Sequence, residues 1–285
     1  MKSHTMLGSS WLRLALLLVL VPFLLGALYL GVRLGTTHPA MYASEESMQA
    51  ESCAIDDPDA ETLVYTSLRP ANWDIYLFDS LTAAPRRLTS HPSLDYNAVL
   101  SPDGRWVVFV SDRGASPSLH ALDLEAKGGS IALTSHSAMD DAPSFSPDGS
   151  QLAFVSTRDG SPDICVMPFD PGNAEAEGQA VNLTRSPHGD FNPTFSPDGT
   201  RIAFSSNRGI FHRWNPLRLI RGTEAMTELY TMNADGTRPK RVFRALGVSG
   251  SPAWTETGDA LLHYRLTDPA NSAIHRSQVR GRGAG

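Results

Sequence analysis

Ser101-Pro102-Asp103-Gly104-Arg105-Trp106-Val107-Val108-Phe109-Val110 decides the fold. Its first four residues return as Ser146-Pro147-Asp148-Gly149 and Ser196-Pro197-Asp198-Gly199, 45 and 50 residues apart. In such a corner Pro presets φ, Asp bonds its own backbone and Gly takes positive φ, so the apolar runs on either side fold into a hairpin. Each copy has the same flanks: Asn97-Ala98-Val99-Leu100, Pro143-Ser144-Phe145 or Pro193-Thr194-Phe195 before the turn. Trp106 to Val110, Leu152 to Val155 or Ile202 to Phe204 follow it. The carboxylates and glycines of the three turns, Asp103, Gly104, Asp148, Gly149, Asp198 and Gly199, are read as turn chemistry, not catalysis.

A third apolar run follows each hairpin, at Asp74 to Phe78, Leu119 to Leu122, Asp163 to Met167 and Glu228 to Met232. A fourth, short run closes each unit, as Arg87-Leu88-Thr89, Ala132-Leu133-Thr134, Asn182-Leu183-Thr184 and Arg241-Val242-Phe243. Four strands per repeat of about 45 residues are the unit of a β-propeller, whose sheets pack radially over shared apolar faces. The expected class is therefore all-β, a propeller of about four to five four-stranded blades. The leading unit lacks its first strand, and the trailing one, with Ser251-Pro252-Ala253-Trp254 and Ala260 to Tyr264, is degenerate. If the ring stays open, its free edge invites a partner or a second copy.

Residues 14–32 are an uncharged run of 19, preceded by Lys2 and Arg13 and closed by Arg33. At 1.5 Å per helical residue such a run nearly spans a bilayer core of about 30 Å. Residues 1–35 are expected to be an uncleaved signal anchor and transmembrane helix, with the N-terminus inside and the rest on the periplasmic or extracellular side of the cytoplasmic membrane. Residues 36–60 read as a solvated tether, 61–265 as the propeller and 266–285 as an Arg-rich tail that either supplies one edge strand at Ala273-Ile274-His275 or stays disordered. Net charge is −6, and beyond residue 35 there are 21 bases against 30 acids. That balance argues against nucleic acid as the ligand. Cys53 and Cys165 form no metal-ligand spacing, and Cys165 reads as a small core hydrophobe.

The string Leu-Thr, Asp, Ser-Pro-Asp-Gly, Ala-Phe-x-Ser-x-Arg and Asp-Ile-Tyr resembles the WD-type repeat of TolB-like propellers over roughly residues 61–265. The resemblance implies an interaction platform in the cell envelope. The same repeats also form the propellers of prolyl-oligopeptidase-type and tricorn-type proteases, so they name a fold and not a task. The chain departs from TolB itself in having a membrane anchor and no separate N-terminal α/β domain.

Six residues before each Ser-Pro-Asp-Gly stand Asp95, Asp140 and Asp190, read as loop caps or as a partial carboxylate ring on one rim. Twelve residues after it stand Arg113, Arg158 and Arg208, with Arg69 at the matching place in the leading unit, expected to bridge to the acids that open third strands, Asp74, Asp163 and Glu228. The second-to-third-strand loop of the fourth unit is enlarged to residues 209–227 and holds Phe211, His212, Arg213, Trp214, Arg218 and Arg221. Aromatic and Arg side chains are enriched at interaction hot spots, which makes this insertion the candidate partner face together with the three aspartates. No phosphate loop, zinc motif or nucleophile elbow occurs, so no cofactor, metal or catalytic residue is assigned. The expected function is a non-catalytic protein- or peptide-binding scaffold of the envelope. The alternatives are a lyase or hydrolase acting on surface polymer with His91, His136 and His188 at that face, or a truncated relative of a peptidase or sensor propeller.

Overall fold

In the computed structural model the three Ser-Pro-Asp-Gly corners are superimposable in their bonding. Each Gly has positive φ (Gly104 72°, Gly149 72°, Gly199 69°), a conformation that costs an L side chain dearly. Its N–H donates to the carbonyl of the corner serine at 2.8–2.9 Å. Each serine hydroxyl donates to the Asp two residues on, and accepts the N–H that opens the next strand: Trp106 2.8 Å, Gln151 2.9 Å and Arg201 3.0 Å. These donations hold the carboxyls of Asp148 and Asp198 down to about 2. Each corner also lies against the next, Pro102 beside Gly149 and Pro147 beside Gly199. The fourth member of this row is Gly258 (φ 64°) beside Pro197, in a turn where Thr255 replaces Ser and Asp259 receives its hydroxyl at 2.9 Å.

The structure describes residues 63–68, 72–78, 84–126, 128–173, 176–208, 227–242, 248–268 and 271–279. All lie in the second of two units, 59–285. The expected transmembrane helix, the tether with Cys53, Arg69 and the insertion residues Phe211, His212, Arg213, Trp214, Arg218 and Arg221 lie outside them.

The described strands form five sheets, so the chain is an all-β, five-bladed propeller. The first sheet comprises β1 (Leu63–Leu68), β2 (Trp73–Phe78) and β3 (Arg86–Arg87). The second has β4 (Asp95–Leu100), β5 (Trp106–Ser111), β6 (Ser118–Asp123) and β7 (Ile131–Ala132). The third has β8 (Asp140–Phe145), β9 (Gln151–Ser156), β10 (Asp163–Pro168) and β11 (Val181–Asn182), with a 3-10 turn at Glu177–Gln179 before β11. The fourth has β12 (Asp190–Phe195), β13 (Arg201–Ser206), β14 (Glu228–Asn233) and β15 (Lys240–Arg241). The fifth has β16 (Val248–Trp254), β17 (Ala260–Asp268) and β18 (Asn271–Gln278). All pairings are antiparallel in chain order, the local pairing that short hairpin loops permit.

Two boundaries differ from the sequence reading. The fifth sheet continues past residue 265 through β17, and β18 takes up 271–278 of the stretch assigned to a tail. The fourth strands are only two residues long because the Leu-Thr that follows turns inward. Leu88, Leu133 and Leu183 N–H groups still bond the third strand at 2.8 Å. The next threonine hydroxyl then accepts a third-strand N–H at 3.0 Å, from Ile75, Leu119 or Ile164. Between sheets lies one apolar layer per joint, for example Val108, Val110, Leu119 and Ala121 of the second sheet with Leu152, Phe154, Cys165 and Met167 of the third. Cys165 is packed there as expected, and burial pushes its thiol up to about 12.

Candidate functional site

The innermost strands β4, β8, β12 and β16 share a break in register. Pairing with the second strand skips between Tyr96 and Val99, Asp141 and Ser144, Phe191 and Thr194, and Gly250 and Ala253. Two residues therefore oppose one, the definition of a β-bulge, which bends a strand and re-aims its side chains. The first residue of each bulge is left-handed: Asn97 φ 50°, Ala142 49°, Asn192 50° and Ser251 48°. Three of the four are Asn or Ser, whose short polar side chains stabilise local turns, and proline follows in three sheets as Pro143, Pro193 and Pro252. These four corners line one side of a cavity of about 240 Å³ at the axial end of the sheets, here called the channel. Left-handed non-glycine residues recurring at one place in successive sheets are strain that the fold maintains, as functional sites do. Across the channel wall, Asn97 Nδ2 donates to Asp141 Oδ1 at 2.7 Å, joining the second sheet to the third.

Behind three of the four bulges, those of β4, β8 and β12, stands a repeated ion pair. Asp95, Asp140 and Asp190 open β4, β8 and β12 and are 0% exposed. Arg113 reaches Asp95 at 2.9 Å and Arg158 reaches Asp140 at 3.2 Å, while Arg208 pairs with Asp190. Each Arg Nε also donates to the serine two residues earlier: Ser111 2.7 Å, Ser156 2.8 Å and Ser206 3.0 Å. Each guanidinium then covers the Phe that faces the bulge, 5.6 Å from Phe109, 5.4 Å from Phe154 and 5.2 Å from Phe204.

Two expectations are corrected by this geometry. Asp95, Asp140 and Asp190 do not form an open carboxylate ring, because each is buried and neutralised by its own Arg. The arginines bridge to the first strand, not to the acids of the third strand. Those acids are engaged from the fourth-strand side: Asp74 by Arg87, Glu228 by Arg241 at 3.3 Å, and Asp163 by Thr184 and Asn182, both at 2.9 Å.

Two of the histidines named for the same rim, His91 and His136, are used locally. His91 Nδ1 accepts the N–H of Ser93 at 3.1 Å, and His136 Nδ1 that of Ala138 at 3.0 Å. Sequence reasoning passed over His120, which is buried in β6 and stacked on Phe109 at 5.8 Å. Burial, with the Arg113 guanidinium next, pushes its pKa down from 6.5 to about 4. A folded-state pKa below the unfolded value means that stability is complete above 6.5 and is lost as the pH falls toward 4. Denaturant titrations should show the wild type losing about 2 kcal/mol more than His120→Gln between pH 7 and pH 4.5, a figure discounted for solvent screening. Parallel curves for the two proteins would refute the assignment.

Residues 123–210 match the TolB beta propeller domain family. The Tol-Pal system protein TolB of Wolinella succinogenes is 34% identical over 67 residues, 24% of this chain and 16% of that protein. The crystal structure of TolB from Acinetobacter baumannii aligns with a TM-score of 0.60 at 20% identity, over 76% of this chain and 50% of that one. Oligogalacturonate lyase from Vibrio parahaemolyticus aligns with a TM-score of 0.52 at 15% identity, over 77% of this chain and 60% of that one. The chain thus spans half or less of the two TolB relatives, and the structural likenesses speak for the fold alone. The chain thus carries a β-propeller in which residues 123–210 are similar to the TolB beta propeller domain.

Proposed function

We propose that this protein is a non-catalytic, protein- or peptide-binding scaffold of the cell envelope, anchored to the cytoplasmic membrane through residues 1–35 and displayed on its outer side. The observation that carries the proposal is the channel wall of four equivalent left-handed corners, lined by Asn97, Ala142, Asn192, Ser251 and prolines. Uncharged side chains and bent backbone suit a peptide's own amide groups. The name of the Wolinella relative, a Tol-Pal system protein, supports an envelope setting. Strand β13 runs toward the side from which the inner strands start, and this direction favours Phe211, His212, Arg213, Trp214, Arg218 and Arg221 of the inserted sequence as hot-spot candidates.

Crosslinking in native membranes tests this. Replacing residues 210–221 by Gly-Ser is expected to remove at least one crosslinked protein, and Asn97→Gly with Asn192→Gly to weaken the same crosslink while sparing the backbone. An identical set of crosslinked proteins from wild type and both variants would exclude this rim.

A further inference from the structure

A second surface lies at the opposite ends of the strands, between the fourth and fifth sheets. Here a cleft of about 700 Å³ is lined by Arg201, Arg238, Lys240 and Arg241, with Asp198 and Val279. The corresponding joint between the second and third sheets is filled: Phe169 meets Phe145 at 4.8 Å and Trp106 at 5.9 Å, both edge-on. The backbone proves the equivalence. Phe169 N–H bonds Ser150 O at 2.9 Å just after β10, as Val279 N–H bonds Asp259 O at 2.8 Å just after β18. Trp106 and Arg201 both open the second strand of their sheets. In the fourth–fifth joint, Arg201 lies over the Trp254 ring at 4.5 Å and donates to Gly258 O at 2.8 Å, while Val279 is too small to reach it as Phe169 reaches Trp106. The same place in the fold is thus aromatic and closed at one joint, basic and open at another.

The charge there is only partly compensated, with the Asp235 carboxylate close enough to Arg238 to feel its charge. Arg241 has Glu228, but among the described residues Arg238 and Lys240 form no ion pair, and both are exposed. Asp198 is already engaged by Ser196 and Thr200. Next to the cleft the fifth sheet ends in β18, eight residues long, where the other sheets end in two-residue strands. Its outer edge pairs with no strand among the described residues, and Ile274 on it is 80% exposed. A long uncovered edge is a template for pairing with another chain, and proteins that do not use such edges blunt them.

We propose that an extended acidic segment of a partner protein adds to β18 as the fourth strand of the fifth sheet and sets carboxylates against Arg238 and Lys240. Main-chain bonds along the edge supply affinity, and the cations select acidic side chains. This surface is separate from the rim proposed above and does not depend on it.

The test uses the full chain in detergent and a fluorescein-labelled peptide of alternating Glu and Val, with a Gln–Val peptide as control, read by fluorescence anisotropy. Saturable binding of the Glu–Val peptide that weakens with added salt is expected. Arg238→Glu with Lys240→Glu should weaken it about tenfold or more. Val279→Phe, which copies Phe169 and fills the cleft, should weaken it without charge change. Both changes sit on exposed or half-buried side chains, and unchanged thermal unfolding of the charge-reversed variant keeps its result decisive. Equal binding of the Gln–Val peptide, no binding to wild type, or undiminished binding after charge reversal would overturn the proposal. So would binding of anionic phospholipid vesicles in place of the peptide.

Discussion

Replacing Arg158 by Ala is expected to cost about 3–5 kcal/mol, because it leaves a buried carboxylate without its cation. Asp140 is 1% exposed in its side chain and lies 3.2 Å from the guanidinium, so water cannot take over. The same substitution also strips the cation from the face of Phe154 and frees the Ser156 hydroxyl. The fifth sheet shows how the fold manages without the pair. It has Ser249 at the Asp position, and counting twelve residues from Thr255 gives Thr267 at the Arg position. Both charges are gone together. The double variant Asp140→Ser with Arg158→Thr should therefore recover most of the loss, to within about 1–2 kcal/mol of wild type, since removing a whole buried pair is far less costly than removing half. Urea denaturation of wild type, Asp140→Ser, Arg158→Thr and the double variant, with Arg158→Ala alongside, measures it. Additive costs, or less than about 1 kcal/mol for Arg158→Ala, would mean that the pair is solvent-screened and holds nothing together.

The ion pairs also show where the sequence was legible and where it was not. Counting from Ser-Pro-Asp-Gly finds both partners, Asp at minus six and Arg at plus twelve, since the corner fixes the hairpin register: Asp95 faces Ser111, and Arg113 lies two residues on. What counting cannot supply is the side to which a long side chain turns. On the second strand an Arg has a first-strand acid on one side and a third-strand position on the other, as Ser156 has Asp140 and Asp163. The choice is made by the fourth strand, where Arg87, Arg241, Asn182 and Thr184 already occupy the outer acids. The left-handed corners were hidden for a different reason. Asn97-Ala98, Ala142-Pro143, Asn192-Pro193 and Ser251-Pro252 share no residue pair, only a tendency toward Asn, Ser and Pro within an apolar run. Proline inside a run that otherwise reads as an inner strand was the available signal, since it marks bulges. Strand β18 was faint because Ala273, Ile274, Arg276 and Gln278 are all exposed, which leaves no clean apolar–polar alternation to read. Outer strands bury little, so composition barely constrains them.

Phe204→Ala is expected to be the other large loss, about 3–5 kcal/mol, for a cavity in a joint that cannot collapse. Phe204 is 0% exposed, belongs to the layer formed with Ala153, Val155, Ile164 and Met232, and stacks on Tyr230 at 5.8 Å. It also faces the bulge at Asn192-Pro193, where two residues oppose its one, so the ring supports the bent wall of the channel from behind. Arg208 lies 5.2 Å from its centroid and 5.3 Å from that of Tyr230, and losing one ring removes part of what holds the guanidinium over Asp190. Phe204→Leu keeps most of the volume and should cost about 1–2 kcal/mol, with the pair intact. The coupling has a separate reading. If the ring positions the arginine, Arg208→Ala made in the Phe204→Ala background should cost measurably less than in the wild type, by about 0.5–1 kcal/mol. Identical costs in the two backgrounds would show that aromatic ring and ion pair act independently and that the Asp–Arg–Phe repeat is a coincidence of register rather than one mechanical unit.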